Sequence, residues 1–200
     1  YTWSDVNNTL QTYGLTLDSS TGEITGTPTQ ATPPSGVTVT IEVTDANNDT
    51  AQRDFTLVIY PELQITTTSL PEGYEGQTGY SATLTATGGT GTYTWNIISG
   101  RLPLNLSWDA ATATISGDIT TGTAGNYPLQ FEVTDGIQTV TANLTLTVHT
   151  QLQITTTSLA DATEGIAYSC IVQATGGNSA NYTWSVSGQP LWLAIDAATG

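Results

Sequence analysis

The chain is almost without positive charge. It has no lysine and only two arginines, Arg53 and Arg101, against 17 acidic residues, so its formal net charge at pH 7 is −15. Such a surface repels the phosphates of nucleic acids and the anionic headgroups of membranes. We therefore predict that the chain binds neither nucleic acid nor an anionic membrane surface.

Cysteine and long hydrophobic runs are also scarce. The single cysteine, Cys170, has no partner within the 200 residues, so no internal disulfide stabilises the fold. No stretch approaches the roughly 18–20 apolar residues that span a bilayer, and no basic and apolar leader opens the chain. We predict no membrane insertion in this segment.

Histidine is nearly absent, which bears on catalysis. His149 is the single histidine, and it falls in a linker between two sequence repeats, where a linker contact is its expected role. A Ser-His-acid triad would need this residue beside an acidic partner. A pair of catalytic carboxylates stays open to sequence reasoning, but the acidic residues recur with the repeats, whereas an active site usually interrupts a repeat. We predict that the chain is not an enzyme.

The sequence does contain an internal repeat. The octapeptide LQITTTSL begins at Leu63 and again 89 residues later at Leu152, and the tripeptide YTW begins at Tyr1, Tyr93 and Tyr182. The shared spacing predicts that residues 61–150 form a complete repeat. Residues 1–60 are predicted to be a repeat that lacks its N-terminal strands, and residues 151–200 one that lacks its C-terminal strands. We expect the chain to be part of a longer polypeptide. The alternative is strand exchange, in which the terminal half of one subunit adds strands to the opening half of the next.

Strict alternation of apolar and polar residues predicts β-strands. Leu129, Phe131 and Val133 alternate with polar residues, and a similar pattern runs over residues 140–148. About seven such strands in about 90 residues predict an all-β, two-sheet sandwich. Cys170 aligns with the inward-facing Ala82 and is predicted to be a small buried thiol. The tryptophans of the three YTW motifs are predicted to lie in the cores of their repeats: Trp3, Trp95 and Trp184.

Three segments carry a resemblance to a known family. They are GLTLDSSTGEITGTPT at residues 14–29, VTVTIEVTDANNDTAQRDFTLVI at residues 37–59 and RLPLNLSWDAATATISG at residues 101–117. Together with the YTW motif, they resemble the immunoglobulin-like repeats of bacterial and archaeal surface proteins, which are grouped with dystroglycan-type cadherin-like domains. The resemblance implies tandem immunoglobulin/cadherin-like β-sandwich repeats that are extracellular or at the cell surface. It leaves the function open among stalks, adhesins, filaments and spacers beside enzyme domains.

Calcium is the one cofactor that this resemblance raises. Cadherin-like domains that bind the ion collect oxygen ligands in their linkers, and calcium needs about six to eight of them. The linkers at residues 59–67 and 148–156 contain one carboxylate and none, so we expect no cofactor. Three loop residues stay candidate ligands of a weak junction site: Glu75, Asp135 and Glu164. The alternative for Asp135 is a hairpin turn held by hydrogen bonds to the backbone.

Trp192 and five sequons are candidate surface sites. Trp192 aligns with Gly14 and Asn105 in the other repeats, not with a core residue. Sugar stacking, packing against a neighbouring domain and packing within its own loop all stay open for it. Candidate glycosylation sequons of the form Asn-X-Ser/Thr begin at five residues: Asn7, Asn48, Asn105, Asn143 and Asn181.

These features favour a non-catalytic structural repeat of an extracellular filament, stalk or surface fibre. The expected partners are neighbouring repeats of the same protein, through self-assembly into a fibre. The linkers contain no Gly/Ser tract, which predicts restricted hinge motion. Two alternatives stay open, namely an adhesin or carbohydrate-binding surface module, and a spacer within a large secreted enzyme.

Overall fold

A computed structural model describes residues 1–178, 182–191 and 193–200. Within these residues the chain consists of β-strands, turns and one helix of four residues. No helix in this part of the chain has the length and apolar character needed to cross a membrane. The all-β fold that the alternation predicts is confirmed.

The structure divides into two compact units. The first contains Tyr1–Gln64, Ala86–Tyr93 and Thr134–Val140, and the second contains Ile65–Thr85, Thr94–Val133 and Thr141–Gly200. The elements in chain order are β1 (Thr2–Asp5), α1 (Thr9–Thr12), β2 (Leu15–Leu17), β3 (Ile24–Gly26), β4 (Val37–Thr44), β5 (Thr50–Leu57), β6 (Gln64–Ile65), β7 (Gly73–Tyr74), β8 (Tyr80–Thr83), β9 (Ala86–Thr87), β10 (Thr94–Ser99), β11 (Leu106–Asp109), β12 (Thr114–Gly117), β13 (Gly125–Thr134), β14 (Thr139–His149), β15 (Gln153–Ile154) and β16 (Ala174–Thr175).

The first unit is organised around an antiparallel sheet in the order β1-β4-β5. β4 carries β-branched residues, which favour strands, and its inward-facing Val39 and Ile41 are buried in a cluster with Leu10 of α1. The backbone N–H of Leu10 donates to Asp5 Oδ2 at 2.7 Å, which ties the short helix to β1. Four partly buried side chains pack against this cluster: Trp3, Leu15, Leu17 and Leu57.

The second unit contains two sheets that pack together. One has the order β10-β13-β14-β7 and the other the order β11-β12-β8. The ring of Trp108 on β11 lies 5.4 Å from the ring of Phe131 on β13, measured between centroids. Contact between these rings joins the two sheets into the sandwich that the strand pattern predicts.

Burial along β13 and β14 follows the alternation in the sequence. Leu129, Phe131 and Val133 are at most 2% exposed, and Leu144 and Leu146 are buried on the next strand. The polar residues between them are exposed or partly exposed. Burying each such side chain contributes about 1.5–3 kcal/mol, so these two strands supply much of the core.

β7 and β14 bring an early and a late part of the middle repeat together. They run parallel, with Gly73 opposite Val148 and Tyr74 opposite His149. In the other sheet, β12 pairs antiparallel with both β8 and β11. The parallel pair therefore places the end of β14 beside the loop that contains Glu75.

The three YTW tryptophans have different degrees of burial. Trp95 is 5% exposed and lies in a core. Trp3 is partly buried and packs against the cluster of the first unit. Trp184 is also partly buried. The positions that align in sequence therefore do not have equal surroundings.

Cys170 differs from the expectation of a buried thiol, because it is partly exposed. Its counterpart Ala82 is 4% exposed and lies on β8, opposite Ile115 of the complete sheet. In residues 151–200 the structure describes two short strands, β15 and β16, which pair with each other. The segment that carries Cys170 thus has fewer neighbouring strands than β8 has.

Candidate functional site at the repeat junctions

The residues that open the middle repeat are held against its ATGG turn. The N–H of Gly89 donates to the carbonyl of Pro61 at 2.9 Å. Gly88 has a φ of 82°, and a Cβ there would overlap the carbonyl oxygen of Glu62, so this close approach requires glycine. The Tyr93 hydroxyl of the YTW motif donates to the Gly88 carbonyl at 2.8 Å. Two repeated motifs therefore meet at the linker.

The hairpin turn between β13 and β14 binds the same linker. Gln138 donates from Nε2 to the Pro61 carbonyl at 3.0 Å and accepts at Oε1 from the N–H of Leu63 at 3.0 Å. One side chain thus satisfies a donor and an acceptor of the linker backbone. Residues 61–63 are therefore fixed to the repeat that follows them.

Asp135 holds this hairpin in shape. Its Oδ1 accepts from the N–H groups of Ile137 at 2.9 Å and Gln138 at 2.6 Å, and its Oδ2 accepts from the N–H of Thr90 at 2.8 Å. These backbone bonds, the one from Gln138 first, lower the pKa of Asp135. The carboxylate also joins the hairpin to the ATGG turn, because Thr90 follows that turn directly.

The third repeat has the same arrangement at its own start. The N–H of Gly177 donates to the carbonyl of Thr150 at 2.7 Å. A Cβ on Gly176 would overlap the carbonyl oxygen of Gln151. The hydroxyl of Tyr182 donates to the Gly176 carbonyl. The ATGG and YTW motifs therefore hold the beginning of a repeat at both junctions.

His149, the last residue of β14, is bound by the middle repeat. Its carbonyl accepts from the N–H of Glu75 at 2.9 Å, and its ring stacks on Tyr74 with 5.3 Å between centroids. Its Nε2 lies 3.0 Å from Glu72 Oε2, and Asn178 donates from Nδ2 to the same oxygen at 3.4 Å. Glu72 thereby connects the end of the middle repeat with the third.

The two junctions leave almost no free linker. At the second, the carbonyl of His149 is bound by the middle repeat and that of the next residue, Thr150, by the third. At the first, the carbonyl of Ile59 is bound by the first repeat and that of Pro61 by the middle one, with Tyr60 alone between them. A backbone held at adjacent residues has few dihedral angles left for a hinge.

A repeated acidic turn follows each YTW strand. Asp18 Oδ1 accepts from the N–H groups of Ser20 at 2.8 Å and Thr21 at 2.9 Å. The Ser20 hydroxyl bond, followed by these backbone bonds, lowers the pKa of Asp18 to about 2. Backbone N–H bonds also lower the pKa of Asp109 and Asp196. These carboxylates therefore act as turn-forming groups in their ionised form.

Acid is expected to weaken these turns and also the hairpin turn held by Asp135, because the pKa of Asp135 is lowered in the same way. Each carboxyl has a folded-state pKa below its unfolded value of about 4, so its stabilising contribution is complete above that value and is lost as the pH falls through the folded pKa. For Asp18 that folded pKa is about 2. We expect the urea midpoint of the native chain to fall between about pH 5 and pH 2 by more than that of an Asp135→Asn variant.

The variant is the control because acid also relieves repulsion among the 17 acidic residues, and this second effect is nearly the same in both chains. Urea unfolding followed by tryptophan fluorescence measures both midpoints. Identical pH profiles for the two chains would contradict the assignment of Asp135 as an ionised turn residue.

Two of the three candidate calcium ligands, Glu75 and Asp135, accept hydrogen bonds from backbone N–H groups. Glu75 Oε1 accepts from the N–H of Ala124 at 2.9 Å, a bond that lowers the pKa of Glu75. Asp135 is bound by the backbone groups named above, and Glu164 is exposed. Over residues 1–178, 182–191 and 193–200, no three His, Cys, Asp or Glu side chains form a group that could hold a metal ion.

Four of the five sequon asparagines are exposed on turns or on a strand. Asn7 lies in a turn, Asn48 and Asn105 have φ values of 66° and 68°, and Asn143 lies on the outer face of β14. Asn181 and the candidate sugar-stacking residue Trp192 lie outside the described residues. The sequence analysis did not predict that Gln138 binds the linker backbone. Its position shortly after the Asp-Gly turn is the one feature of the sequence that points to it.

Comparison with protein families identifies the class of domain. The family model described as "Putative Ig domain" matches residues 4–60 and residues 63–149. The chain belongs to this family of immunoglobulin-type domains, in agreement with its sandwich and its repeats. No curated protein sequence is significantly similar to the chain.

Several solved structures are similar at low identity. The protocadherin gammaB4 extracellular domain has a TM-score of 0.40 and 15% identity over 94% of this chain and 37% of its own. Human protocadherin-24 EC1-2 has a TM-score of 0.40 and 18% identity over 74% and 81% of the two chains. A "putative alpha-galactosidase" of Bacteroides fragilis has a TM-score of 0.35 and 20% identity over 43% of this chain. The chain spans only 17% of the length of that last protein.

Proposed function

We propose that the chain is a non-catalytic structural segment of an extracellular filament, stalk or surface fibre. Membership of the immunoglobulin-domain family supports a repeat of this kind. The observation that carries the proposal is the second junction, where adjacent carbonyls, those of His149 and Thr150, are bound by successive repeats. A structural segment gains from such junctions, because they transmit orientation from one domain to the next.

The partners in this proposal are neighbouring repeats of the same protein. Repeats that contact only their neighbours form linear assemblies, and their stability depends on the interfaces between adjacent copies. The contact of Glu72 in the middle repeat with Asn178 in the third is of this type. The excess of acidic residues keeps such assemblies soluble by mutual repulsion.

Cellular location provides the direct test. Antibodies against the chain, applied with gold labels to intact cells of the source organism, are expected to mark fibres or other structures outside the cell in electron micrographs. Labelling that is absent from intact cells and appears only inside sectioned cells would contradict the proposal.

Stiffness of the second junction gives a further prediction. A flexible insert of six Gly and Ser residues between His149 and Thr150 separates the two bound carbonyls. We therefore expect the distribution of distances between labels on the two flanking repeats to become about twofold wider or more. Spin labels at exposed positions, Thr145→Cys and Thr175→Cys in a Cys170→Ser chain, report these distances by pulsed electron paramagnetic resonance.

The matched control carries the same insert between Asn47 and Asn48, in an exposed turn of the first repeat. This insert has the same length and composition but leaves the second junction unchanged. The distribution of label-to-label distances is therefore expected to be as narrow in the control as in the chain without an insert. The prediction of a stiff junction would be contradicted if the distance distribution of the chain without an insert were already as wide as that of the chain with the junction insert.

A further inference from the structure

The acidic turn closes the outer edge of the YTW segment in the first and third repeats. In the first repeat, the N–H of Trp3 donates to the carbonyl of Ser19 in the turn at 2.8 Å. In the third repeat, the N–H of Trp184 donates to the carbonyl of Ala197 in the turn at 3.0 Å. A backbone donor at the edge is thereby satisfied within its own repeat.

The middle repeat lacks this bond. The corresponding residues are Trp95 and Ala110, by the alignment of the YTW motifs and of the acidic turns, and in the described part of the chain no hydrogen bond joins them. β10 is the end strand of its sheet and pairs with β13 on one side. Over the described residues, no further hydrogen bond reaches the backbone of β10. Its outer edge is therefore open.

A single residue of the turn explains the difference. The turns of the first and third repeats end at Gly22 and Gly200. A Cβ on either glycine would lie 2.9 Å from the ring of the tryptophan in the same repeat. The middle repeat has Ala113 at this place, with a left-handed φ of 52°. This backbone strains an alanine, and the methyl group prevents the close approach to tryptophan that glycine permits, so the turn stays away from β10.

The open edge carries no charge that would keep other strands away. Residues 94–99 read TWNIIS, and residues 76–108 contain no acidic residue, although the chain has 17. Exposed edges are usually protected by charged side chains or proline. β10 instead carries two adjacent isoleucines, of which Ile98 is 47% exposed. This edge is therefore suited to pairing with another strand.

We propose that the open edge of β10 pairs antiparallel with β10 of a second copy of the chain. Two copies with a formal charge of −15 each repel one another, so a contact between them needs surfaces without acidic residues on both sides. An antiparallel pair about a two-fold axis meets this condition, because both sides are then residues 94–99. The end strands β5 and β11 are less suitable partners, since they carry Asp54 and Asp109. The pairing is a property of the chain in solution and does not rest on the fibre role.

Spin labels on β10 test the pairing. Each copy carries one label at the exposed position Asn96→Cys, in a Cys170→Ser chain. In an antiparallel pair of six-residue strands, the two labelled residues lie within about 20 Å of each other, so dipolar coupling broadens their spectra. We expect the broadened fraction to rise with protein concentration up to about 1 mM, because one strand pair is a small interface. Spectra that stay unbroadened over this range would overturn the proposal, even if sedimentation shows association through another part of the chain.

Ala113→Gly gives the middle repeat the glycine of the other two. We expect its turn to close on β10 and the paired fraction to fall about fivefold or more, the factor that one hydrogen bond typically contributes. Pairing as strong as in the native chain would overturn the proposal that Ala113 keeps the edge open.

A charge on β10 provides a second test. Ile98→Asp places like charges on both strands of the pair and is expected to lower the paired fraction at least as much as Ala113→Gly does. The matched control is Thr145→Asp, which adds the same charge at an exposed position of β14 and should leave the pairing unchanged. Equal broadening in the Ile98→Asp and Thr145→Asp chains would overturn the assignment of β10 as the contact.

Discussion

Replacing Gly88 by alanine is expected to destabilise the middle repeat by about 2–5 kcal/mol. The left-handed backbone at this position, with φ of 82°, costs an alanine about 1–2 kcal/mol. The new Cβ also overlaps the carbonyl oxygen of Glu62, and overpacking of this kind costs about 1–3 kcal/mol because backbone cannot rotate away as a side chain can. Urea unfolding followed by tryptophan fluorescence measures the loss.

Gly91→Ala is the matched control for the strain alone. Gly91 has nearly the same φ, 84°, and, apart from Gly91 itself and its two chain neighbours, no heavy atom of the described residues lies within 4 Å of the place that its Cβ would take. Its substitution is therefore expected to cost only the left-handed strain, about 1–2 kcal/mol. Equal losses for the two variants would show that the linker does not approach the ATGG turn as closely as the structure has it.

The ATGG motif shows how far sequence reasoning reaches at the junctions. Its repetition at Ala86 and Ala174 and its position before YTW can be read from the sequence. The reason for the two glycines cannot be read from the sequence, because a Cβ on Gly88 would overlap Glu62 and a Cβ on Gly89 would overlap Asp135, and both of these residues are distant along the chain. Periodicity locates a motif, whereas the partner of a backbone carbonyl depends on the folded path of the linker.

The strand faces could be predicted because burial in a two-sheet sandwich follows the period of two. Phe131 and Leu146 are both 0% exposed, as the alternation requires. The alignment of Cys170 with Ala82 led to the wrong environment, since alignment carries over the position of a residue within its repeat but not the strands that cover it. Trp184 and Trp95 differ for the same physical reason.

The acidic residues illustrate a second limit. Aspartate and glutamate serve both as acceptors of backbone N–H bonds and as calcium ligands, and they occur in similar loops in both roles. Asp135 could be placed in a hairpin turn from the Asp-Gly pair, but its bond to the N–H of Thr90 joins residues 45 positions apart. Glu75 likewise binds Ala124, 49 positions away. No local pattern contains such pairings.

Phe131→Ala is expected to destabilise the middle repeat by about 3–5 kcal/mol. The phenylalanine side chain is fully buried, and its ring lies 5.4 Å from the ring of Trp108 on the opposite sheet. Its removal leaves a cavity next to β13, which is hydrogen-bonded to β10 on one side and to β14 on the other and so cannot move to close it. Unfolding in urea, followed by tryptophan fluorescence, measures the change in free energy.

Phe55→Ala is the control for loss of a phenylalanine from a strand without loss of a core. Phe55 on β5 is 49% exposed, and the Arg53 guanidinium carbon lies 5.5 Å from its ring centroid. A cation–π contact at an exposed site contributes about 0.5–1 kcal/mol. We therefore expect this substitution to lower the free energy of unfolding by about 1 kcal/mol. If Phe131→Ala cost no more than Phe55→Ala, the two sheets of the middle repeat would not pack on each other through Phe131.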